Sequence, residues 1–455
     1  MEPAEIKTGA TLHQEKQSYE SKVLISIFEA IGQLDLEFAD RIVEKEKEFK
    51  QSNLPFWSRL MSLLTNFINA ERNYVSLNFL KYSVRKEQMQ MNYMVLGTDI
   101  KSLIRTQNMH ASTNDTVIQL LDICNDLICA ADIRNSMTEL YRQLHEKATE
   151  KSLHVSLLIE LLNNLLEQHN ESIQHLFLKS LRTNIFAEVR ALAHLLSAHV
   201  EIAEWAFFSS VVQLQHASLA LADVKTLAAV NINENKKKSR FSFFQFKSTH
   251  DSKLARVYQW LMDYFHLLLS KFTFYFYSTL GKYSEINDMR ALSTETTCDF
   301  AGRCIHFLKK SDAECLFVVF NSVNLGTKCQ FGHGYSHPNS GFRVPEDGIP
   351  SFPIILTFPE TLDVTKCSYW SDVFSMLSKY TDKLTNSDTV FPLKSNMPVT
   401  DDYYQIYISC IEPRYYLVVV FEQKRLEKMA MISNFISDIL SQGKYQKQFH
   451  ALKSV

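Results

Sequence analysis

Cys329, His333 and His337 stand in a C-x3-H-x3-H spacing, and thiolate and imidazole are the donors that hold zinc tetrahedrally. Cys298, Cys304 or His306 would have to complete the set from elsewhere in the chain, and the spacing matches no standard knuckle. Gly326, Gly332, Gly334 and Gly341 supply turns at positive φ in the same stretch, so a glycine-rich loop accounts for these residues without a metal. Other catalytic patterns break at a needed position. Gly332-His333-Gly334 opens a dinucleotide fingerprint, but His337 stands where the third glycine must let the backbone approach a pyrophosphate. Gly334-Tyr335-Ser336-His337 opens a nucleophile elbow, but Pro338 replaces the glycine that permits the strained turn. Gly281-Lys282 lacks the first phosphate-loop glycine, which is Phe276, and His145-Glu146 is followed by Thr149 where a second zinc histidine belongs. His194 and His199 are five apart and share no i, i+4 helical face, so packing or solvent contacts explain them. No catalytic residue, metal or cofactor is expected, and the chain reads as a non-enzyme.

The segment with the most local chemistry is 236–247: Lys236, Lys237, Lys238, Arg240 and Lys247 give five positive charges with no acid, interleaved with Phe241, Phe243, Phe244 and Phe246. It resembles the basic-aromatic effector segment of the MARCKS family, in which lysines sit at anionic lipid and phenylalanines enter the interface. Each basic residue near an anionic leaflet contributes about 1 kcal/mol, which suits transient recruitment. A phosphate on Ser239 or Ser242 would add close to two negative charges and oppose that contact. A partner-protein site uses the same residues equally well, and so does a solvated lysine run whose phenylalanines pack on the protein.

These residues need elements to hold them, and glycine and proline divide those elements. Residues 98–280 contain neither, whereas 281–455 hold eight of the 11 glycines and eight of the 10 prolines. A breaker-free stretch rich in Leu, Ala, Glu and Gln predicts long helices. Apolar steps of three, four and seven predict six antiparallel helices. They run over 24–49, from Phe56 past Leu80, and over 114–140, 153–181, 184–229 and 254–280. Helices near 40 residues would make an elongated bundle. After residue 281 the period becomes that of strands, at 314–321, 352–358, 403–411 and 414–422, the last two joined as a hairpin through Glu412-Pro413. Helices are predicted at 298–310, 369–380 and 424–440. The expected fold is α+β overall: an all-α helical bundle over 1–281, its basic-aromatic connection at 232–250, then an α+β domain with a small antiparallel sheet over 282–455. Longin and roadblock modules share the element content of that second part.

At 455 residues, 46% hydrophobic and 22% charged, the chain is too apolar and too poor in glycine and proline for a disordered or collagenous protein. Lys plus Arg at 48 against Asp plus Glu at 50 provides no bulk field for nucleic acid. Met1 to Glu20 is polar and lacks the apolar run of a secretion signal, so a cytoplasmic protein with reduced cysteines is expected. Asp263, His266 and Lys271 interrupt the apolar stretch 260–280, which therefore reads as a buried helix and not a membrane span.

Four strings carry a resemblance to a known family beyond these patterns. They are Gln51-Ser-Asn-Leu-Pro-Phe-Trp57, the 236–247 run, the glycine-rich 332–341 with the following 342–350, and Glu412-Pro-Arg-Tyr-Tyr-Leu-Val-Val-Val-Phe421. On these the chain resembles the KICSTOR complex subunit two family over nearly its whole length. The resemblance implies a non-enzymatic scaffold subunit, recruited from the cytoplasm to the lysosomal surface. It implies as partners kaptin, an FG-GAP-repeat protein and a giant seizure-threshold protein. It implies, further, recruitment of the GATOR GTPase-activating complex and restraint of TOR signalling when amino acids or glucose are scarce. A peripheral membrane adaptor acting through 236–247 is the alternative.

Overall fold

The computed structural model describes residues 18–49, 52, 54, 56–80, 86–108, 115–150, 153–238, 255–283, 285, 298–323, 348–386, 391–395, 404–422 and 429–453. Ser18 starts the first helix by accepting the Ser21 N–H at 3.2 Å, an N-cap that satisfies one of the donors a helix start leaves unpaired. The helices of the first part are α1 (Tyr19–Gly32), α2 (Leu36–Phe49), α3 (Trp57–Val75), α4 (Lys86–Asn108) and α5 (Asp115–Lys147). They continue with α6 (Ser156–Gln168), α7 (Lys179–Ala203), α8 (Phe207–Lys238), α9 (Arg256–Tyr275) and α10 (Tyr277–Tyr283). The longest, α5, has 33 residues, roughly 50 Å at 1.5 Å per residue.

Six unbroken helices are therefore not what forms. The stretches 24–49, 153–181 and 184–229 are each interrupted, and the interruptions use neither glycine nor proline. Leu34, Leu77, Ile173 and Trp205 adopt left-handed backbone at φ 63, 54, 56 and 57°. At Leu34 its own N–H donates to the Ile31 carbonyl (3.0 Å) and the Asp35 N–H to that of Ala30 (2.8 Å). Trp205 and Ala206 repeat the pattern on Ile202 (3.1 Å) and Glu201 (2.9 Å), so both helices close as Schellman motifs. A left-handed conformation costs a non-glycine residue about 1–2 kcal/mol. Leu77, Ile173 and Trp205 are buried, and burying a large apolar side chain contributes about 1.5–3 kcal/mol, enough to offset it. The apolar period runs straight through such breaks because the breaking residue is itself core.

The glycine that ends α1 has a different task. A Cβ on Gly32 would lie 2.5 Å from the carbonyl carbon and Cβ of Ser180 and 2.6 Å from the Leu181 nitrogen, so α1 and α7 touch backbone to backbone there. Gly32→Ala is expected to push the helices apart and lower stability by about 1–3 kcal/mol, read by urea denaturation.

The second part has five strands: β1 (Cys315–Phe320), β2 (Ile354–Phe358), β3 (Phe391–Ser395), β4 (Tyr404–Glu412) and β5 (Tyr415–Phe421). They form one antiparallel sheet in the order β2-β1-β5-β4-β3. The sequence predicts four of them. β3 escapes because Pro392 and Lys394 spoil its apolar signal, and a proline with no N–H to donate is tolerated in a strand that pairs on one side. The hairpin turn is Pro413-Arg414 and not Glu412-Pro413, since Glu412 still pairs with Tyr415. Arg414 takes φ 78°, the left-handed position that follows proline in a type II turn.

β1 and β5 are buried at every position, so they read as unbroken apolar runs. One face, including Leu316, Val318, Leu417 and Val419, joins the bundle's core, which extends from Leu24 to Leu452. The other face, including Phe317, Val319, Tyr416 and Val418, packs under Trp370, Val373 and Leu377 of α12 (Trp370–Asn386). α11 (Phe300–Ser311) precedes the sheet, and α13 (Met429–Gly443) and α14 (Tyr445–His450) follow it. The fold is α+β, an N-terminal helical bundle followed by a C-terminal α+β part with a small antiparallel sheet.

Candidate functional site

Of the residues singled out in the sequence, Lys236, Lys237 and Lys238 form the backbone of the last turn of α8. Ser239, Arg240, Phe241, Ser242, Phe243, Phe244, Phe246 and Lys247 lie outside the described residues, as do Cys329, His333 and His337. Among the described residues no group of three His, Cys, Asp or Glu side chains is poised to hold a metal. His199 is buried with Nδ1 2.9 Å from the Tyr264 hydroxyl. His194 is part-buried with Nδ1 2.8 Å from Gln213 Oε1.

The most concentrated chemistry is a buried cluster that sequence reading did not find. Arg134 on α5 is 0% exposed, and its guanidinium is divided between two other helices. Nε donates to both oxygens of Glu71 on α3 (3.1 and 3.2 Å), NH1 to Glu188 Oε2 (2.5 Å) and NH2 to Asn184 Oδ1 (3.1 Å), the last two on α7. Four tyrosines complete the shell. Tyr74 (2.6 Å) and Tyr141 (2.9 Å) donate to Glu188 Oε1, Tyr258 to Asn184 Oδ1 (2.6 Å) and Glu188 Oε2 (3.1 Å), and Tyr93 to Glu71 Oε1 (2.9 Å). The guanidinium carbon also lies 4.4 Å from the Tyr74 ring centroid.

Burial, and then the neighbouring carboxylates, push all four phenols well above the usual tyrosine range, so they remain donors. Burial pulls the other way on Arg134, but Glu71 and Glu188 outweigh it and hold the guanidinium charged. Two carboxylates share one cation and four hydroxyls, and each guanidinium nitrogen and each of the four hydroxyls has an acceptor. The cluster ties α3, α4, α5, α7 and α9 together. Its sequence signal was a charge on an apolar stripe, since Leu127, Ala131, Arg134, Thr138 and Tyr141 follow steps of three and four on the buried side of α5.

A second cluster joins the bundle to the sheet. Lys271 Nζ on α9 lies 2.7 Å from Glu412 Oε2 at the end of β4, with the two side chains 3% and 10% exposed. The Tyr275 and Tyr415 rings stack at 3.9 Å, and the Tyr415 hydroxyl donates to the Ile202 carbonyl at 2.5 Å. The C-terminal helix returns to the bundle. Trp260 Nε1 donates to the Gln448 carbonyl (2.7 Å), Gln448 Nε2 to that of Trp260 (3.0 Å) and the Tyr445 hydroxyl to that of Glu150 (2.7 Å).

Over residues 14–455 the sequence matches the family model described as KICSTOR complex C12orf66 like. The chain belongs to that family. It is 26% identical over 445 residues to KICSTOR subunit 2 of Xenopus laevis, covering 95% of this chain and 96% of the relative. It is 26% identical over 444 residues to KICSTOR subunit 2 of Danio rerio, again 95% and 96%. The resemblance carried by 51–57, 236–247, 332–350 and 412–421 is borne out. As a member of the KICSTOR family the chain is one of a class of complex subunits. No helix among its described residues is long and apolar enough to cross a membrane, and α9, the stretch that tempts such a reading, is buried along most of its length.

Proton linkage gives this family member a testable acid limb. Burial, and then the charge of Lys271, holds His199 well below the usual histidine range. The folded protein keeps it neutral while the unfolded chain takes a proton below about pH 6.5. The His199 contribution is therefore complete above that pH and is lost as pH falls, at up to about 1.4 kcal/mol per pH unit. Burial lowers His175 and His194 as well, so they act with the same sign. His199→Gln keeps a partner for Tyr264 and is expected to flatten the fall in unfolding free energy between pH 7.5 and 5.5 by one proton's worth. An unchanged slope would contradict the assignment.

Proposed function

We propose that this chain is a non-enzymatic scaffold subunit of a KICSTOR-like complex, recruited to the lysosomal surface, where it holds the GATOR GTPase-activating complex. In that role it restrains TOR signalling when amino acids or glucose are scarce, in company with kaptin, an FG-GAP-repeat protein and a giant seizure-threshold protein. The observation that carries the reading is the family match over residues 14–455, with relatives called KICSTOR subunit 2 covered over 96% of their length. The two buried charge clusters fit it, because Arg134 pairs with Glu71 and Glu188, and Lys271 with Glu412, inside the fold. We read 1–281 as the bundle domain and 282–455 as a longin- or roadblock-like domain, supported by the strand order β2-β1-β5-β4-β3 with α12 on one face.

Affinity purification of the tagged chain from nutrient-starved cells, followed by mass spectrometry, tests the scaffold reading. Recovery of kaptin and the seizure-threshold protein is the expected result, and their absence from a folded, expressed bait would end it. The composition of 236–247, five positive charges and four phenylalanines without an acid, favours a second reading as a lipid-surface contact, with Ser239 and Ser242 as its phosphorylation switch. That reading requires binding to anionic vesicles that disappears at high salt.

A further inference from the structure

His194 on α7 and His216 on α8 meet across the hairpin that these helices form, with ring centroids 4.9 Å apart and ring planes tilted by 58°. The topology builds the pair. Ala203 ends α7 and Phe207 begins α8, so the two histidines stand equally far from the connection, at one level of the hairpin. α8 also supplies Gln213, one turn before His216, whose Oε1 lies 2.8 Å from His194 Nδ1. A carboxamide oxygen only accepts, so Nδ1 carries the proton and Nε2 keeps its lone pair. Metal-binding histidines are oriented in this way, by an acceptor on the ring nitrogen that does not touch the ion.

The spacing suits a shared ion. With metal–nitrogen bonds of about 2.0–2.1 Å, each ring centre sits about 3.2 Å from such an ion. Centres 4.9 Å apart then subtend about 100° at it, between the square-planar and tetrahedral values. His194 is half-buried and His216 exposed, which leaves the outer side open to entry and to water. Burial first, then His216 and Arg190, hold His194 below the usual histidine range against the Gln213 bond, so no proton competes at neutral pH. Arg190, one turn earlier on α7 and exposed, is the charge that opposes a cation, and solvent screens it. Two nitrogen donors select a transition-metal ion over calcium or magnesium, which take oxygen ligands. Among the described residues no third His, Cys, Asp or Glu joins the pair, so the site has two protein ligands.

We propose that His194 and His216 form a two-imidazole site for a divalent transition-metal ion, His194 binding through Nε2 and water holding the remaining positions. The site clamps α7 to α8 and makes no use of the subunit reading above. The test is pulsed EPR on the purified full-length chain with copper(II) iminodiacetate as probe, a chelate that leaves two adjacent copper positions free for imidazole. Electron spin-echo modulation counts the imidazoles bound, and two are expected in the wild type. His194→Ala and His216→Ala are each expected to reduce the count to one and to weaken binding by about a hundredfold, the advantage of a second tethered ligand. His216 is exposed, so its variant keeps the fold. Gln213→Leu leaves both ligands and is expected to keep the two-imidazole signal while weakening binding by about tenfold, as the loss of an orienting acceptor does. Zinc without the chelate is expected to raise the unfolding midpoint of the wild type more than that of either histidine variant. One imidazole or none in the wild type would overturn the proposal. So would a two-imidazole signal that survives both histidine variants, or equal zinc shifts in all three proteins, since other donors would then hold the metal. Unchanged binding in Gln213→Leu would overturn the assignment of Nε2.

Discussion

Arg134→Met is expected to lower the unfolding free energy by about 3–5 kcal/mol, because it strands two carboxylates that are almost wholly out of water. Glu188 would retain three tyrosine donors and Glu71 one, but no cation. Lysine is no substitute. An ammonium is a compact point charge, whereas the Arg134 fork meets Glu71, Glu188 and Asn184 on two helices at once, so Arg134→Lys should recover less than half of the loss. Removing all three charges with Arg134→Met, Glu71→Met and Glu188→Leu takes away the uncompensated charge but leaves the Tyr74, Tyr93 and Tyr141 hydroxyls without acceptors. Each orphaned hydroxyl costs about 1–3 kcal/mol, so the triple variant is expected to regain wild-type stability only when these tyrosines also become phenylalanine. Urea denaturation of the four proteins decides the matter. A single Arg134→Met within 1 kcal/mol of wild type would mean that the cluster is wet or rearranged in solution.

The Arg134 cluster also marks where sequence reading stops. Local period placed the α5 stripe and the β1 and β5 runs, since each depends on neighbours within one turn or one strand. The partners of Arg134 lie 63, 54 and 50 residues away, and nothing local distinguishes a paired interior arginine from one on a solvated face. The helix breaks at Leu34, Leu77, Ile173 and Trp205 were hidden for a related reason. Left-handed closure is normally signalled by glycine, and at Leu77, Ile173 and Trp205 the conformational cost is offset by burial that only the tertiary fold supplies. β3 was hidden by Pro392, whose place in the ladder is legible only once β3 is known to pair solely with β4. The β4–β5 turn is the extreme case. Arg414 is an ordinary turn residue until Asn321 and Val323, more than ninety positions earlier, present their carbonyls to it.

Lys271→Met is expected to cost about 3–5 kcal/mol as well, and to do so at the junction of bundle and sheet. Glu412 ends the strand that leads into the Arg414 turn, and burial, then the Glu412 charge, raise the Tyr275 phenol above the usual tyrosine range. Without the ammonium the buried carboxylate draws water to the seam, and the stacked Tyr275 and Tyr415 rings are the next contacts to loosen. Because one core runs from Leu24 to Leu452, the loss should not appear as an independently melting sheet. Amide exchange is expected to rise at the β4–β5 end and at the C-terminal turns of α7 and α9 together. Glu412→Gln with Lys271→Met removes both charges, and the double-mutant cycle should return a coupling of about 2 kcal/mol or more, whereas additive single effects would show an exposed, weak pair. His199 supplies an independent reading of the same variant. Lys271 is one of the two causes that hold that imidazole neutral, so removing it lets the folded state take the His199 proton more readily. The fall in stability below pH 6.5 should then be shallower in Lys271→Met than in wild type, even as the whole curve drops. A steeper acid limb would mean that Lys271 does not face His199 in the folded protein.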